Sequence, residues 1–66
     1  MAELTHRQRE ALQHAAHGAS VLETAVEMDV TEGHVQELLN ESYIRLDVHS
    51  KAAAVTEAIR LGIIHR

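Results

Sequence analysis

No proline interrupts this chain of 66 residues, and its three glycines stand far apart, at positions 18, 33 and 62. Proline and glycine most often end helices and strands, so their scarcity favours long uninterrupted helices. The apolar residues are mostly Ala, Val, Leu and Ile, with one Tyr and no Phe or Trp. Cysteine is absent, which excludes disulfides and thiolate metal sites. We therefore predict one small all-α domain over residues 1–66, held together by helix packing or by dimerisation.

Capping residues mark the starts of four helices. Thr5 and Ser20 each precede Gln or Glu by three positions, which is the capping-box pattern of a helix start. Thr31 and Ser50 are further residues of the types whose side chains accept hydrogen bonds from a first helical turn. We therefore predict a helix from Thr5 to Gly18, a short one after Ser20 that ends in a turn at 29–31, one over 32–46 and one over 51–61.

The third helix has the most regular apolar spacing. At 100° per residue, four residues share one stripe that we expect to be buried: Val35, Leu39, Ser42 and Leu46. Asp47 follows the stripe and is expected to adopt the left-handed conformation that ends the helix. Ile44 lies nearly opposite the stripe and Leu38 lies on its flank, so both are predicted to be exposed.

Six short patterns follow one another at fixed spacing without a gap from Leu4 to about Ile64. They are Leu4-Thr5 with Arg9-Glu10, Ala16-His17-Gly18-Ala19-Ser20, Glu23-Thr24-Ala25, Thr31 to Val35, Arg45-Leu46-Asp47-Val48 and Ala54-Val55-Thr56-Glu57-Ala58. This ordered set resembles the LuxR/GerE-type helix-turn-helix domain, the DNA-binding module of many bacterial regulators. The resemblance implies a four-helix domain from a bacterium or phage, whose third helix enters a DNA major groove.

The resemblance and the side-chain chemistry together predict DNA contacts on the third helix and just after it. The candidate DNA-binding residues are His34, Gln36, Glu37, Arg45 and Lys51. Gln can pair with adenine and Glu can accept a hydrogen bond from cytosine N4, while cationic side chains neutralise phosphates. This interpretation predicts a small transcriptional regulator that binds DNA as a dimer.

The fourth helix and the residues after it are more apolar than four short helices need, so their apolar surface is either part of the core or a dimer face. The resemblance also implies that this helix often forms a dimer contact. We therefore predict a self-complementary homodimer, whose candidate contact residues are Ala54, Ile59, Ile63 and Ile64.

The charge of the helix-turn-helix segment favours a different partner. From Ser20 to Leu46 there are six acidic residues and one basic residue, Arg45, a net charge of −5, whereas the whole chain has −4. Such a segment repels phosphates. The alternative is therefore a degenerate helix-turn-helix protein that no longer binds DNA and instead binds another regulator or the transcription machinery. Its candidate protein-binding face comprises Val21, Leu22, Leu38 and Ile44.

Other classes of function have little support in the sequence. No catalytic nucleophile, phosphate-binding loop or paired carboxylates are apparent, so we predict neither an enzyme nor a cofactor. His14 and His17 stand three positions apart but lack a third ligand at a suitable spacing, so we predict no metal site. No apolar run approaches the roughly 20 residues that cross a membrane, and we expect a cytoplasmic protein.

Overall fold

The computed structural model describes residues 3–66, so the first two residues of the predicted 1–66 domain lie outside the described part. Over this range the chain forms four α-helices and no strand, which confirms the predicted all-α helix-turn-helix architecture. The helices are α1 (His6–Ala16), α2 (Val21–Met28), α3 (Glu32–Leu46) and α4 (Lys51–Arg60). At the end of α4 the structure differs from the prediction by one position, because Leu61 is the residue after its last turn.

The N-terminal caps form as predicted. The Thr5 and Ser20 side chains accept hydrogen bonds from the backbone N–H groups three residues later. In turn, the side chains of Gln8 and Glu23 accept from the backbone N–H groups of Thr5 and Ser20. Thr31 and Ser50 begin α3 and α4 through one such bond each, without the reciprocal one. Each cap satisfies a backbone donor that has no partner inside the helix.

All four helices end in the same way, with one residue in the left-handed conformation. In each case the following residue donates its N–H to a carbonyl five residues earlier, the bond of a Schellman motif. The left-handed residues are Gly18, Asp29, Asp47 and Gly62, with φ of 85°, 58°, 56° and 75°. The sequence predicted this role for Asp47, but for Asp29 it predicted only a turn.

α3 lies at the centre of the domain and packs against the other three helices. Its predicted stripe is buried, and Val35 and Ser42 are fully enclosed together with Leu12 of α1. The Ser42 hydroxyl donates to the carbonyl of Leu38 at 2.8 Å. Throughout residues 3–66 every buried side-chain nitrogen or oxygen has a hydrogen-bond partner.

Leu38, which was predicted to lie on the surface, belongs to the core, and so do Ala54 and Ile64, for which the sequence allowed either the core or a dimer contact. Leu38, Ala54 and Ile64 are 5%, 0% and 2% exposed. Leu38 is covered because a central helix with three neighbours buries a wider arc than one apolar stripe. Ala54 and Ile64 are needed inside because a core without Phe or Trp is filled by many small side chains.

The last residues of the chain fold back onto α1. The Gln13 side-chain amide donates to the carbonyl of His65 and accepts from its N–H, the second bond being 3.1 Å long. This pairing places Ile64 against the core. None of the described helices is both long enough and apolar enough to cross a membrane.

Candidate nucleic-acid interface

The outward face of α3 is exposed along its whole length. Gly33, Gln36, Glu37, Asn40 and Ile44 are all exposed. Helical spacing places them on the side opposite the buried stripe. A helix of 15 residues is about 22 Å long. The face is therefore long enough to lie along a groove, and its position is set by the buried stripe behind it.

The three glutamates of α3 each interact favourably within the domain. Glu32 stands in the first turn, where the positive end of the helix dipole stabilises an acid. The Glu37 carboxylate lies 3.3 Å from Nδ1 of His34. Glu41 accepts a hydrogen bond from the buried Gln8 side chain at 3.1 Å, which ties α1 to α3. Each of the three glutamates therefore has a favourable position or partner within the domain.

Two side-chain amides form a pair on the outward face. Nε2 of Gln36 donates to Oδ1 of Asn40 at 3.0 Å, one helical turn away. Both residues are exposed, and the Asn40 amide nitrogen and the Gln36 carbonyl oxygen make no further bond within residues 3–66. Sequence reasoning missed Asn40, although its i,i+4 spacing from Gln36 signals a shared face.

Two cations near the end of α3 have no intramolecular partner in the described part of the chain. Arg45 lies in the last turn of α3 and Lys51 is the first residue of α4, and both are exposed. Arg60, in contrast, donates two hydrogen bonds to Glu57, at 2.8 and 2.7 Å. These bonds raise the pKa of Arg60 and lower the pKa of Glu57.

The candidate DNA-binding residues therefore fall into two groups. His34, Gln36 and Glu37 lie in the first two turns of α3, and Arg45 and Lys51 stand at its far end. The polar groups suited to base edges are thus separated along the helix from the cations suited to phosphates.

The residues of the predicted protein-binding face do not form the cluster that the sequence predicted. Leu38 is buried and Val21 is half-buried, which leaves Leu22 and Ile44 with exposed fractions of 58% and 77%. Val26 of α2, which sequence reasoning missed, is 72% exposed. It follows Leu22 by one turn, so the two share one side of α2.

Only two of the four residues of the predicted dimer face remain partly accessible to a partner. Ala54 and Ile64 are core residues, whereas Ile59 and Ile63 are half-buried and keep part of their surface accessible. The alanines at positions 52 and 53 are exposed on the same helix.

The histidines do not assemble a metal site. Within residues 3–66, no three His, Cys, Asp or Glu side chains are grouped so that they could hold a metal ion. His14 and His17 belong to the end of α1, where His17 is the residue after the last turn. His17 shares a 3.1 Å hydrogen bond with the Gln13 side chain, so one of its ring nitrogens is already engaged.

Comparison with known sequences identifies the family. The sequence model described as "Bacterial regulatory proteins, luxR family" matches residues 2–58. The chain belongs to the luxR family. This match confirms the resemblance to the LuxR/GerE-type domain that the sequence patterns indicated.

Individual luxR-family relatives agree with this assignment. The chain is 41% identical over 61 residues to the HTH-type quorum sensing-dependent transcriptional regulator RpaR of Rhodopseudomonas palustris. The match covers 92% of this chain and 25% of that regulator, so the chain spans about a quarter of the relative's length. The solved structure of the transcription factor GerE superimposes with a TM-score of 0.88 at 26% identity, covering 92% of this chain and 91% of that one.

Proposed function

We propose that this luxR-family chain is a transcriptional regulator that binds duplex DNA with α3 in the major groove. The observation that carries the proposal is the continuous exposed face of α3, held in place by a buried stripe and by caps at both ends. The major groove of B-DNA is wide enough to admit one α-helix. Relatives whose names describe transcription regulators support the same function.

The side chains on this face suit two kinds of contact. The amides of Gln36 and Asn40 match the donor and acceptor of an adenine edge, and the Glu37 carboxylate can accept from cytosine N4. Arg45 and Lys51 contribute the positive charges for phosphates. His34, hydrogen-bonded to Glu37, orients that carboxylate.

The number of cations at the end of α3, namely Arg45 and Lys51, sets the expected strength of phosphate binding. Each neutralised phosphate contributes about −0.9 to the slope of log affinity against log salt. Arg45 and Lys51 on each of two protomers therefore give a slope of about −3.6. We expect weak non-specific binding and a shallow salt dependence, so base contacts contribute a large share of the affinity for a specific site.

A selection from a random duplex library at about 50 mM salt, followed by fluorescence anisotropy on the enriched sequences, tests DNA binding. Arg45→Gln is expected to weaken binding to all sequences and to reduce the salt slope by about 1 per protomer. Gln36→Ala is expected to relax the preference at one base pair, at a cost of about 1–3 kcal/mol.

The matched control for this experiment is Arg60→Gln. It removes the same charge from a residue that is bonded to Glu57 rather than free, and its effect on affinity should be small. If the wild-type chain enriches no sequence and binds no duplex at about 50 mM salt, where phosphate contacts are strong, the proposed function is wrong.

We further propose that the regulator acts as a homodimer through α4. Support comes from the accessible parts of Ile59 and Ile63 and from the exposed Ala52, which lies on the same face of α4 as Ile59 and whose small side chain allows two helices to approach closely. The contact rests on a few partly accessible apolar side chains, so we expect a weak dimer.

Sedimentation equilibrium over a range of protein concentrations tests the dimer. Ile59→Asp places a charge in the contact and is expected to give a folded monomer, checked by circular dichroism. The same substitution at an exposed α3 position, Ile44→Asp, should leave the association unchanged. A wild-type chain that stays monomeric at high micromolar concentration both alone and on DNA contradicts this proposal.

A further inference from the structure

α2 carries a row of apolar side chains, Leu22 and Val26, that do not pack into the core. Leu22 and Val26 stand one turn apart and are 58% and 72% exposed. Single exposed apolar residues are common on protein surfaces. Two large ones on the same side of a helix of only eight residues form a continuous patch. Val is a weaker helix former than Ala or Gln, so helix propensity does not account for Val26.

A row of acidic side chains lies beside the apolar row on α2. Glu23 and Glu27 also stand one turn apart and are exposed, whereas the buried side of α2 is formed by Thr24, Ala25 and Met28. The Glu23 carboxylate is oriented by the N–H of Ser20 at 2.8 Å. Glu27 makes no side-chain bond within the described residues. The outer half of α2 thus consists of two parallel rows, one apolar and one negatively charged.

These two rows define the partner that the surface fits. We infer that the outer face of α2 docks a basic amphipathic α-helix of another protein, which presents apolar side chains one turn apart beside a row of Lys or Arg. The apolar rows pack together while the charged rows attract, and the charges set the register and the rate of encounter. Because only two large apolar side chains are offered on α2, we expect the contact to be transient.

Other occupants fit this face less well. A second copy whose α2 packs antiparallel across a two-fold axis sets the acidic rows of both protomers on the same edge, where they repel. A copy whose α2 packs parallel leaves both acidic rows without a cation, because α2 carries no Lys or Arg. A phosphate backbone meets the same negative charge, and the side chains of Leu22 and Val26 offer it no hydrogen-bond donor. The inference does not rest on DNA binding, because the α2 face is separate from the groups assigned to bases and phosphates.

The test titrates the full chain into a labelled synthetic helical peptide that carries leucines four positions apart beside a row of lysines. Two matched peptides replace the lysines by glutamates or the leucines by serines. We expect saturable binding of the lysine–leucine peptide alone. We also expect its affinity to fall as salt rises, because the exposed charges are screened.

Two double variants test the apolar row and the acidic row of α2 separately. Leu22→Ser with Val26→Ser removes the apolar row. Glu23→Gln with Glu27→Gln removes the charge, and glutamine is a residue type that can still complete the capping box at the start of α2. Each pair of substitutions is expected to weaken peptide binding by about tenfold.

Folding should survive in both double variants, because all four positions are exposed. Circular dichroism checks this for each protein. If the serine pair fails to fold, Leu22→Ala with Val26→Ala replaces it, since alanine is the strongest helix former.

Ile44→Ser is the control, since it removes an equally exposed apolar residue from α3. It should leave the peptide affinity unchanged. The inference is overturned if the lysine–leucine peptide does not bind saturably, if the glutamate peptide binds equally well, or if Ile44→Ser weakens binding as much as the α2 variants do. DNA binding is measured separately, so either proposal can fail alone.

Discussion

At the level of single residues, Glu23 shows how one carboxylate contributes to both folding and surface charge. It accepts a hydrogen bond from the backbone of Ser20, which closes the capping box at the start of α2. The backbone bond from Ser20 and then the bond with its side chain lower the pKa of Glu23 below its usual value of 4.5. The folded state therefore stabilises the ionised form, and Glu23 also contributes a negative charge to the outer face of α2.

The sign of this shift predicts how stability depends on pH. Because the pKa of Glu23 is lower in the folded chain than in the unfolded chain, its contribution is complete above pH 4.5 and is lost as the pH falls through the folded-state value. Urea unfolding of wild type and Glu23→Gln between pH 7 and pH 3 measures this. Gln can keep the capping box but does not titrate.

The difference in unfolding free energy between these two proteins is expected to shrink at acid pH. A difference that stays constant over the whole range means that ionisation of Glu23 does not contribute to stability. Glu57 is another carboxylate whose pKa is lowered, by its bonds from Arg60, and Glu57→Gln provides a comparison in which no helix cap is altered.

At the level of the helices, local chemistry determines where each one begins and ends. Each start is an N-cap bond that spans three residues, and each end is a left-handed residue with its Schellman bond. Patterns this short can be identified in a sequence, which is why the predicted bounds agree with the observed ones to within a residue at α3 and α4. Asp29 and Asp47 stand where glycine is most often found, and each places a negative charge at the negative end of a helix dipole.

The end of α3 should therefore be open to stabilisation. Asp47→Gly removes the strain of a positive φ and the unfavourable charge, and it is expected to raise the free energy of unfolding by about 1 kcal/mol. Asp47→Asn removes the charge alone and should give about half of that gain. Urea unfolding monitored by circular dichroism measures both. A lower stability for Asp47→Gly means that the added chain entropy of the unfolded state outweighs the strain.

At the level of the whole domain, a core of small aliphatic side chains surrounds the central helix. Leu12, Val35 and Ser42 are its largest fully enclosed residues, and none of them is aromatic. Domains below about 70–80 residues seldom gain more than about 3–5 kcal/mol from one core. Each buried leucine therefore supplies a large share of the total stability.

Two leucines provide a matched test of this dependence. Leu12→Ala leaves a cavity in the centre and is expected to cost about 2–5 kcal/mol, enough to unfold much of the protein at physiological temperature. Leu22→Ala removes the same atoms from an exposed site and should change stability by less than about 0.5 kcal/mol. Thermal and urea unfolding of both variants measure the contrast. Similar losses at the two sites contradict the assignment of the core.

Local sequence patterns were sufficient to predict the four helices, their order and the buried stripe of α3, whereas the family was inferred from the resemblance of the whole ordered set of motifs. These features depend on caps, turns and periodic spacing within a few neighbouring residues, so they can be identified without knowledge of the packing. The same information predicted that Arg45 lies at the end of α3 and that Ile44 is exposed.

The packing of the helices determines which residues beside the main apolar stripes are buried and which acidic side chains form hydrogen bonds between helices. Leu38, Ala54 and Ile64 enter the core because of the number of helices packed around them, which no single helix pattern contains. The bond between Gln8 and Glu41 joins residues 33 positions apart. The burial of residues beside a helix's main apolar stripe and the long-range bonds depend on how the helices meet in space, so the pattern of one helix could not predict them.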